Sequence, residues 1–359
     1  MVTDRKIKIL AIGAGAIGTY IGGSLANVGN KVVFVDQPAM VDRLKNQGIL
    51  LDLTKNPNLG SGRKIHLHPP EVEFSPSVSD ALDKGNFDLA IFALKSFDTQ
   101  PALEGMQKDL NRFPPILCLQ NGVDNEKIIA NFVGEDRVIH GTVTSAIGRL
   151  DVGSIVLEKL RGVGLFAGHP ISMTLFEQMS LAGLRPMMFN NAWEMKWSKM
   201  LTNLISNASS AILNLSPIEI FSNKELTRME MAQLTECLLV MDAMKLKPVD
   251  LPGTPVKLLV ASVGLPLWLT QPLFRKILGG GRGGKMPSFH IDLASGRGKS
   301  EVSYLNGAVV REGARLGIST PVNTFLEKTL MAITLNELPR NSYVSDSEKF
   351  LKDIYKIEN

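Results

Sequence analysis

Hydrophobic residues along the chain follow two different patterns. In the first half they form short apolar runs, such as KILAI, DLAIFAL (88–94) and PILCLQ (115–120), separated by glycine-rich and polar segments. Runs that are apolar throughout are typical of parallel strands covered by helices on both faces. From Asn190 onwards, apolar residues instead recur every three or four positions, which predicts helices.

The change of pattern predicts two domains, because 359 residues are also too many for one ordinary core. We expect an α/β domain of the Rossmann type over residues 1–189 and an all-α domain over residues 190–359. Further strands are expected at RVIHGTVTSAI (137–147) and SIVLEKL (154–160). The periodic segments that predict long helices are residues 191–213, 223–246, 299–317 and 321–338.

A glycine motif lies between the first strand and the first helix. Gly13, Gly15 and Gly18 form GxGxxG, with Ala16 and Ile17 inside it. Gly13 permits a tight turn, Gly15 lets a pyrophosphate approach the backbone, and Gly18 lets the helix pack closely. The helix start adds amide groups and a positive dipole. Because the motif follows a strand, opens a helix and precedes a second strand, it predicts dinucleotide binding at these five residues.

The second strand, KVVFVD, ends in an acid. Asp36 lies where a carboxylate usually accepts hydrogen bonds from the adenosine ribose, and it would repel a 2′-phosphate. This position favours NADH over NADPH. Arg43 is close enough in sequence to complicate that preference, and Asp36 could instead cap a loop.

Two further strands end in polar loops. Lys95 follows the strand at 88–94, and Asn121 follows the strand at 115–120. Ligands of open α/β sheets bind beyond the carboxyl ends of the strands, so both residues are candidates for contact with the dinucleotide or the substrate. A surface lysine and an Asn-Gly turn are the alternatives.

The segment WSKMLTNLISN (197–207) carries three polar residues at a spacing of four. Lys199, Asn203 and Asn207 would form one stripe on a continuous helix. The stripe either faces a cleft between the domains or is an ordinary solvated face, and the spacing does not decide between them.

Composition excludes several classes of protein. A formal charge of +4, from 39 basic and 35 acidic side chains, is too balanced to indicate nucleic-acid binding. The two cysteines, Cys118 and Cys237, lie in apolar segments, so we expect no disulfide and a reducing, cytoplasmic location. We expect no metal site, because His66 and His68 lack nearby ligands and fit an exposed strand.

The segment LLVASVGLPLWLTQPLF (258–274) is apolar but interrupted by two prolines and a glycine. It is shorter than the roughly 20 residues of a membrane span. We therefore expect no stable membrane insertion, and interpret it as a broken helical segment buried in the protein or capping a cleft. Contact with a membrane surface is the alternative.

Several motifs together resemble the ketopantoate reductase family: IGAGAIG, ALKSFDT (93–99), LQNGVDNE (119–126), WSKMLTNLISN, and PSFHIDLASGRGKSEVSYLNG (287–307). The resemblance implies a Rossmann domain followed by a helical domain, with the active site between them. It also implies reduction of the small 2-keto acid ketopantoate to D-pantoate, generally with NADPH, on the route to pantothenate and coenzyme A. A homodimer through the helical domain rests on the resemblance alone.

The resemblance also implies roles for individual residues. Lys199 corresponds to the catalytic lysine, and Glu301 to a glutamate expected to hold that lysine and to lie near the cofactor. Lys95 and Asn121 correspond to residues near the nicotinamide, and Asn121 also lies near the substrate.

The remaining implied residues contact the substrate. Asn203 and Asn207 correspond to helix asparagines that would bind its carboxylate or hydroxyl. Ser288 would bind a hydroxyl or the carboxylate, whereas Asp292 would either bind substrate or hold Ser288 and the helix start.

Three features depart from the family. Asp36 stands where a basic residue is common, one extra residue separates Asp292 from Glu301, and residues 250–284 are longer and more apolar than usual. The departures leave open an NADH-preferring reductase of another branched or larger 2-keto acid. A dinucleotide sensor without turnover is a third hypothesis, which the presence of Lys199 and Glu301 disfavours.

Overall fold

The computed structural model describes residues 5–59, 63–282 and 286–356, which form two compact units. The first unit comprises the residues up to Lys196 together with Leu251–Thr254. The second comprises Trp197–Asp250 and the residues from Pro255 onwards. The division falls within a single helix, Ala192–Leu204.

The described part of the first unit contains twelve strands in two sheets. They are β1 Lys8–Ile12, β2 Lys31–Val35, β3 Ile49–Asp52, β4 Lys64–Leu67, β5 Glu73–Ser75, β6 Leu89–Phe92, β7 Ile116–Cys118, β8 Val138–Val143, β9 Ala146–Asp151, β10 Ser154–Lys159, β11 Val163–Phe166 and β12 Pro186–Phe189. The larger sheet has the order β12-β11-β8-β7-β6-β1-β2-β5, and the smaller one has the order β4-β3-β10-β9.

The larger sheet is parallel from β5 to β8, and β11 joins it antiparallel to β8. Strand β1 lies between β2 and β6, so the chain leaves β1 towards one side of the sheet and later returns to the other. The ends of these strands therefore form a topological switch point, where open α/β sheets bind ligands. The glycine motif follows β1 at this point.

Both faces of the parallel sheet are covered, as the apolar strands predict. Ile9 and Ala11 of β1 belong to one core cluster, whereas Leu10 and Ile12 belong to another on the opposite face. The helices of the first unit are α1 Ala16–Ala26, α2 Pro38–Gln47, α3 Val78–Leu82, α4 Thr99–Gly105, α5 Asn125–Val133 and α6 Ser172–Leu181. Short 3₁₀ helices occur at Pro57–Leu59, Ser96–Asp98, Gln107–Arg112 and Glu135–Arg137.

The second unit is helical. Its elements are the rest of α7 (Ala192–Leu204), α8 Asn207–Leu213, α9 Pro217–Ile220, α10 Lys224–Ala243, α11 Val256–Val263, α12 Leu267–Arg282, α13 Ser288–Ala294, a 3₁₀ helix at Glu301–Tyr304, α14 Asn306–Leu316, α15 Pro321–Thr334 and α16 Ser347–Tyr355. Helix α8 is buried along its whole length and packs against α13 and α15. The predicted class, an α/β domain followed by an all-α domain, is confirmed.

Two predicted helices are interrupted. Residues 191–213 form α7 and α8 rather than one helix, because Ser206 adopts a left-handed conformation with φ 53°. Residues 299–317 form a 3₁₀ turn followed by α14, and Leu305, with φ −110° and ψ −82°, separates them. Hydrophobic periodicity passes through both breaks, since one irregular residue hardly disturbs the spacing of apolar side chains.

The apolar segment 258–274 is broken, as predicted, but one side of it is not buried. Helices α11 and α12 are separated by a turn at residues 264–266, and Trp268 is 72% exposed. Within the described residues, no helix combines the length and the apolar character needed to cross a bilayer.

Candidate functional site

The glycine turn between β1 and α1 can accommodate only glycine at two of its positions. Gly13 has φ 91°, in the left-handed region. A Cβ on Gly18 would lie 2.0 Å from the carbonyl oxygen of Gly13, so any side chain there would displace the turn. The roles predicted for these two glycines therefore follow from the backbone itself.

The start of α1 has the features of a phosphate-binding site. A Cβ on Gly15 would meet no atom within 4 Å, so the backbone can be approached closely there. No side chain caps the helix, and its first turn contains no acidic residue. The amides of Ala16, Ile17 and Gly18 have no acceptor within the helix and lie at the positive end of its dipole. These residues fit the pyrophosphate of a dinucleotide.

Asp36 lies at the end of β2 beside the glycine turn. One carboxylate oxygen accepts a hydrogen bond from the Ala14 amide at 2.8 Å, and the other accepts one from the Gln37 amide at 2.8 Å. Each oxygen keeps a second lone pair for a ligand hydroxyl. Arg43, which could have neutralised this site, instead pairs with Asp151 at 2.7 Å.

The loops after β6 and β7 are joined by side-chain hydrogen bonds. The side-chain amide of Asn125 donates to the backbone carbonyl of Asn121 at 2.7 Å and to Ser96 Oγ at 3.1 Å. Ser96 Oγ in turn donates to the same Asn121 carbonyl at 3.1 Å. Ser96 follows Lys95 directly, so the network links the loops that carry Lys95 and Asn121. Asn121 is exposed, whereas Lys95 is half-buried.

A buried ion pair supports the same loop. Lys196 Nζ lies 2.7 Å from Glu126 Oε1, and both side chains are about 1% exposed. The ammonium also donates to the Gln120 carbonyl at 2.7 Å, immediately before Asn121. Sequence reasoning missed this pair, although Glu126 ends the quoted motif LQNGVDNE. The available signal was a lysine among the apolar positions of a helix, three residues before Lys199.

In the second unit, α7 carries two of the predicted residues. Lys199 and Asn203 are both half-buried and lie one turn apart on this helix. Asn207 begins α8 beyond the break, so the three residues do not form the continuous stripe that the spacing predicts.

The structure brings Asn207 together with Ser288. Asn207 Nδ2 donates to the Asn203 carbonyl at 3.1 Å and lies 3.3 Å from Ser288 Oγ. Its Oδ1 accepts a hydrogen bond from the Phe289 amide at 3.0 Å. Asn207 is only 7% exposed, whereas Ser288 is exposed. Asn207 therefore fixes the start of α13 and, with it, the position of Ser288.

The break between α7 and α8 is held by a buried carboxylate that the sequence reasoning did not single out. Glu230 on α10 accepts hydrogen bonds from the Ser206 amide at 2.8 Å and from Ser209 Oγ. Gln233, one turn later, donates to the Leu204 carbonyl at 2.9 Å. Burial raises the pKa of Glu230 to about 7, although the hydrogen bonds from Ser209 and Ser206 act in the opposite direction.

The last two predicted residues lie in separate elements. Asp292 is half-buried within α13, one turn after Ser288. Glu301 is 5% exposed and begins the 3₁₀ helix, where Ser300 acts as the cap and accepts a hydrogen bond from the Val302 amide.

His66 lies on β4 and His68 next to it. Both are exposed, and their ring centroids are 4.1 Å apart.

Comparison with known families covers both units. Residues 9–165 match the family model described as ketopantoate reductase PanE/ApbA, and residues 191–334 match its C-terminal model. The 2-dehydropantoate 2-reductase of Pyrococcus horikoshii is 25% identical over 326 residues, covering 89% of this chain and 95% of the relative. That of Lactococcus lactis subsp. lactis is 26% identical over 328 residues, covering 89% and 96%.

Solved structures share the fold. A PanE/ApbA family ketopantoate reductase from Ralstonia eutropha JMP134 matches with a TM-score of 0.75 at 24% identity, covering 92% of this chain and 99% of that one. A D-mandelate dehydrogenase solved with NADH and anilino(oxo)acetate matches with a TM-score of 0.73 at 24% identity and the same coverage.

Breaking the buried ion pair should destabilise the protein strongly. We expect Lys196→Met to cost about 3–5 kcal/mol of unfolding free energy, because Glu126 would be left charged and unpaired in the interior. The double variant Lys196→Met/Glu126→Leu should recover most of this loss, as measured by urea unfolding. Arg43→Met, which breaks the exposed pair with Asp151, should cost less than about 1 kcal/mol. Equal losses in the single and double variants would contradict a role for the pair.

Glu230 should make stability depend on pH. Its pKa is raised from 4.5 to about 7, so between these values the folded state binds a proton that the unfolded state releases. The stability that Glu230 contributes to the folded state is fully present below pH 4.5 and is lost as pH rises through 7. The free energy of unfolding of Glu230→Gln, measured relative to that of the wild type, should therefore rise by about 3 kcal/mol between pH 4.5 and pH 8.

Unfolding curves of wild type and Glu230→Gln at several pH values measure this gain. As a control, the same comparison made in a Glu225→Gln background, which alters a half-buried carboxyl in the first turn of the same helix, should give the same gain. A constant difference between wild type and Glu230→Gln at all pH values would show that Glu230 titrates normally.

Proposed function

Because the chain belongs to the ketopantoate reductase family, whose models match both halves of it, we propose that it reduces ketopantoate to D-pantoate. It is an NAD(P)-dependent oxidoreductase that acts on CH–OH groups, and its substrate is a small keto acid. The product would feed the synthesis of pantothenate and coenzyme A. The observation that carries this proposal is the series Lys199, Asn203 and Asn207, with Asn207 bound to Ser288.

Lys199 is proposed as the general acid. When bound, the nicotinamide supplies the hydride that adds to the keto carbon. Negative charge then develops on the carbonyl oxygen, and a positioned ammonium group stabilises this charge and donates the proton. Glu301, buried at the start of its 3₁₀ helix, would hold the ammonium in place and keep it charged.

The amides and hydroxyl of the second unit would bind the rest of the substrate. Asn203 and Asn207 are assigned to its carboxylate or hydroxyl, and Ser288 to a hydroxyl or the carboxylate. Asn207 also orients Ser288 through their shared hydrogen bonds. Asp292, one turn along α13, would either contact the substrate or support Ser288.

The first unit would hold the dinucleotide. Gly13, Gly15 and the amides of Ala16, Ile17 and Gly18 would bind the pyrophosphate. Lys95 and Asn121, whose loops are tied together by Asn125, would lie near the nicotinamide. In this proposal, residues 1–189 form the cofactor domain and residues 190–359 form the catalytic domain. A homodimer through the helical domain is part of the same proposal.

NADH is the proposed preference within the nicotinamide cofactors. Asp36 offers a carboxylate for the ribose hydroxyls, and Arg43 is engaged by Asp151 rather than available for a 2′-phosphate. Asp36 also supports a second candidate function, that of an NADH-dependent reductase of another branched or larger 2-keto acid. The long apolar segment at 250–284 also favours a modified pocket.

A substrate panel with both cofactors tests this function. We expect kcat/KM for ketopantoate to exceed that for simple branched 2-keto acids, and NADH to be preferred over NADPH by roughly tenfold, which is about 1.4 kcal/mol. Asp36→Asn keeps an acceptor for the Ala14 amide but removes the charge, so it should narrow the cofactor preference. Higher kcat/KM for another 2-keto acid would support the second candidate, and preference for NADPH would refute the role of Asp36.

Loss of the lysine should strongly reduce turnover without removing the cofactor site. We expect Lys199→Ala to lower kcat by roughly 100-fold or more, the scale of general acid catalysis, with little change in the Kd of NADH. Lys224→Ala, at an exposed position of α10, is the matched control and should retain full activity. Near-normal kcat in Lys199→Ala would rule out the assignment.

A further inference from the structure

Helices α11 and α12 present a cluster of exposed apolar side chains. Leu258, Leu265, Trp268 and Leu269, which we term the apolar patch, are 55%, 42%, 72% and 40% exposed. They account for four of the twelve large hydrophobic side chains exposed in the described part of the chain, within only twelve residues of sequence. Such a concentration, unlike scattered exposed leucines, indicates an interaction surface.

The apolar patch belongs to helices whose other side is already packed. Val256 and Thr270 are fully buried, and Thr270 Oγ1 donates to the Ser262 carbonyl at 3.2 Å across the turn. Phe274 stacks on Phe221, next to α9, with ring centroids 4.8 Å apart. The inner positions of both helices are therefore occupied, and the apolar patch is left facing outwards on an anchored support.

The sequence around the apolar patch has an unusual charge distribution. Residues 251–291 contain no acidic residue, although 35 acids among 359 residues would place about four in a segment of this length. The same segment contains five basic residues: Lys257, Arg275, Lys276, Arg282 and Lys285. Lys257 and Arg275 are exposed. The described surface therefore combines the exposed apolar side chains with two exposed cations, Lys257 and Arg275.

We propose that the α11–α12 surface docks reversibly on an anionic lipid bilayer. Tryptophan and leucine side chains enter the interface between headgroups and acyl chains, while lysine and arginine attract anionic headgroups. Neither helix is long enough to span the roughly 30 Å hydrocarbon layer, since α11 has 8 residues and α12 has 16 with Pro272 inside it. The contact therefore lies on the membrane surface.

A second copy of the chain suits this surface less well. An isologous interface would bring the same surface of two copies together, so Lys257 and Arg275 of one copy would approach those of the other with no acid from residues 251–291 between them. Like charges opposed across an interface disfavour association, whereas an anionic bilayer is complementary to this charge.

Vesicle binding tests the proposal on the full-length protein. We expect it to co-sediment with vesicles of phosphatidylcholine containing about 30% phosphatidylserine, and roughly tenfold less with phosphatidylcholine alone. About 0.5 M NaCl should weaken the binding, because screening reduces attraction to the headgroups. Trp268 provides a direct signal, since Trp197 is buried and Trp193 half-buried: its emission should shift to shorter wavelength on anionic vesicles.

Matched variants separate the apolar and cationic contributions. Trp268→Ser should lower binding roughly tenfold, whereas Trp268→Phe should retain it, because an aromatic ring can still enter the interface. Lys257→Glu/Arg275→Glu should abolish the preference for anionic vesicles. Leu150→Ser, at a 63% exposed leucine on β9 of the first unit, should bind like the wild type. Far-UV circular dichroism and thermal unfolding confirm that each variant is folded.

Three results would overturn the proposal. The first is absence of binding to anionic vesicles. The second is binding that Trp268→Ser and Leu150→Ser weaken equally, which would mean that the apolar patch is not the contact. The third is self-association, lost in Trp268→Ser, without any vesicle binding, which would identify the apolar patch as an interface between copies of the chain.

Discussion

A buried carboxylate at a helix break determines how the polar residues of the second unit are arranged. Ser206 adopts a left-handed conformation, which is unfavourable for a residue with a side chain, and Glu230 compensates by accepting its amide hydrogen at 2.8 Å. The break redirects the chain so that Asn207 begins a new helix and reaches Ser288 and Phe289. Without it, Asn207 would continue the surface of α7, and the start of α13 would lose its anchor.

The first unit uses the same strategy around the loops that follow its central strands. The ammonium of Lys196 bridges Glu126 and the Gln120 carbonyl, while Asn125 holds the Asn121 carbonyl. On these loops Lys95 is half-buried and Asn121 is exposed. The side chains that hold the loops, Lys196, Glu126 and Asn125, are buried. Buried polar networks of this kind fix a geometry at the cost of desolvation, so they occur where position matters.

Much of the fold was predictable from the sequence, but its irregularities were not. Apolar runs and the glycine motif indicated the parallel sheet and the turn after its first strand, because backbone constraints at Gly13 and Gly18 are local. The break at Ser206 depends on Glu230, which is 24 residues away, and no local pattern reports such a contact. The partnership of Lys196 with Glu126 was likewise hidden by distance along the chain. Residues 258–274 were expected to be buried or to cap a cleft because their composition is apolar, yet composition does not show which side faces the core.

The proposed mechanism requires Lys199 to protonate the carbonyl oxygen of a keto acid held beside a nicotinamide. A crystal structure of the protein with NAD⁺ and D-pantoate tests this requirement. We expect Lys199 Nζ to lie within hydrogen-bonding distance, about 3 Å, of the C2 hydroxyl oxygen. The C2 atom of D-pantoate should face the nicotinamide ring. A Lys199 amine that points into solvent, or a different side chain bound to that oxygen, would contradict it.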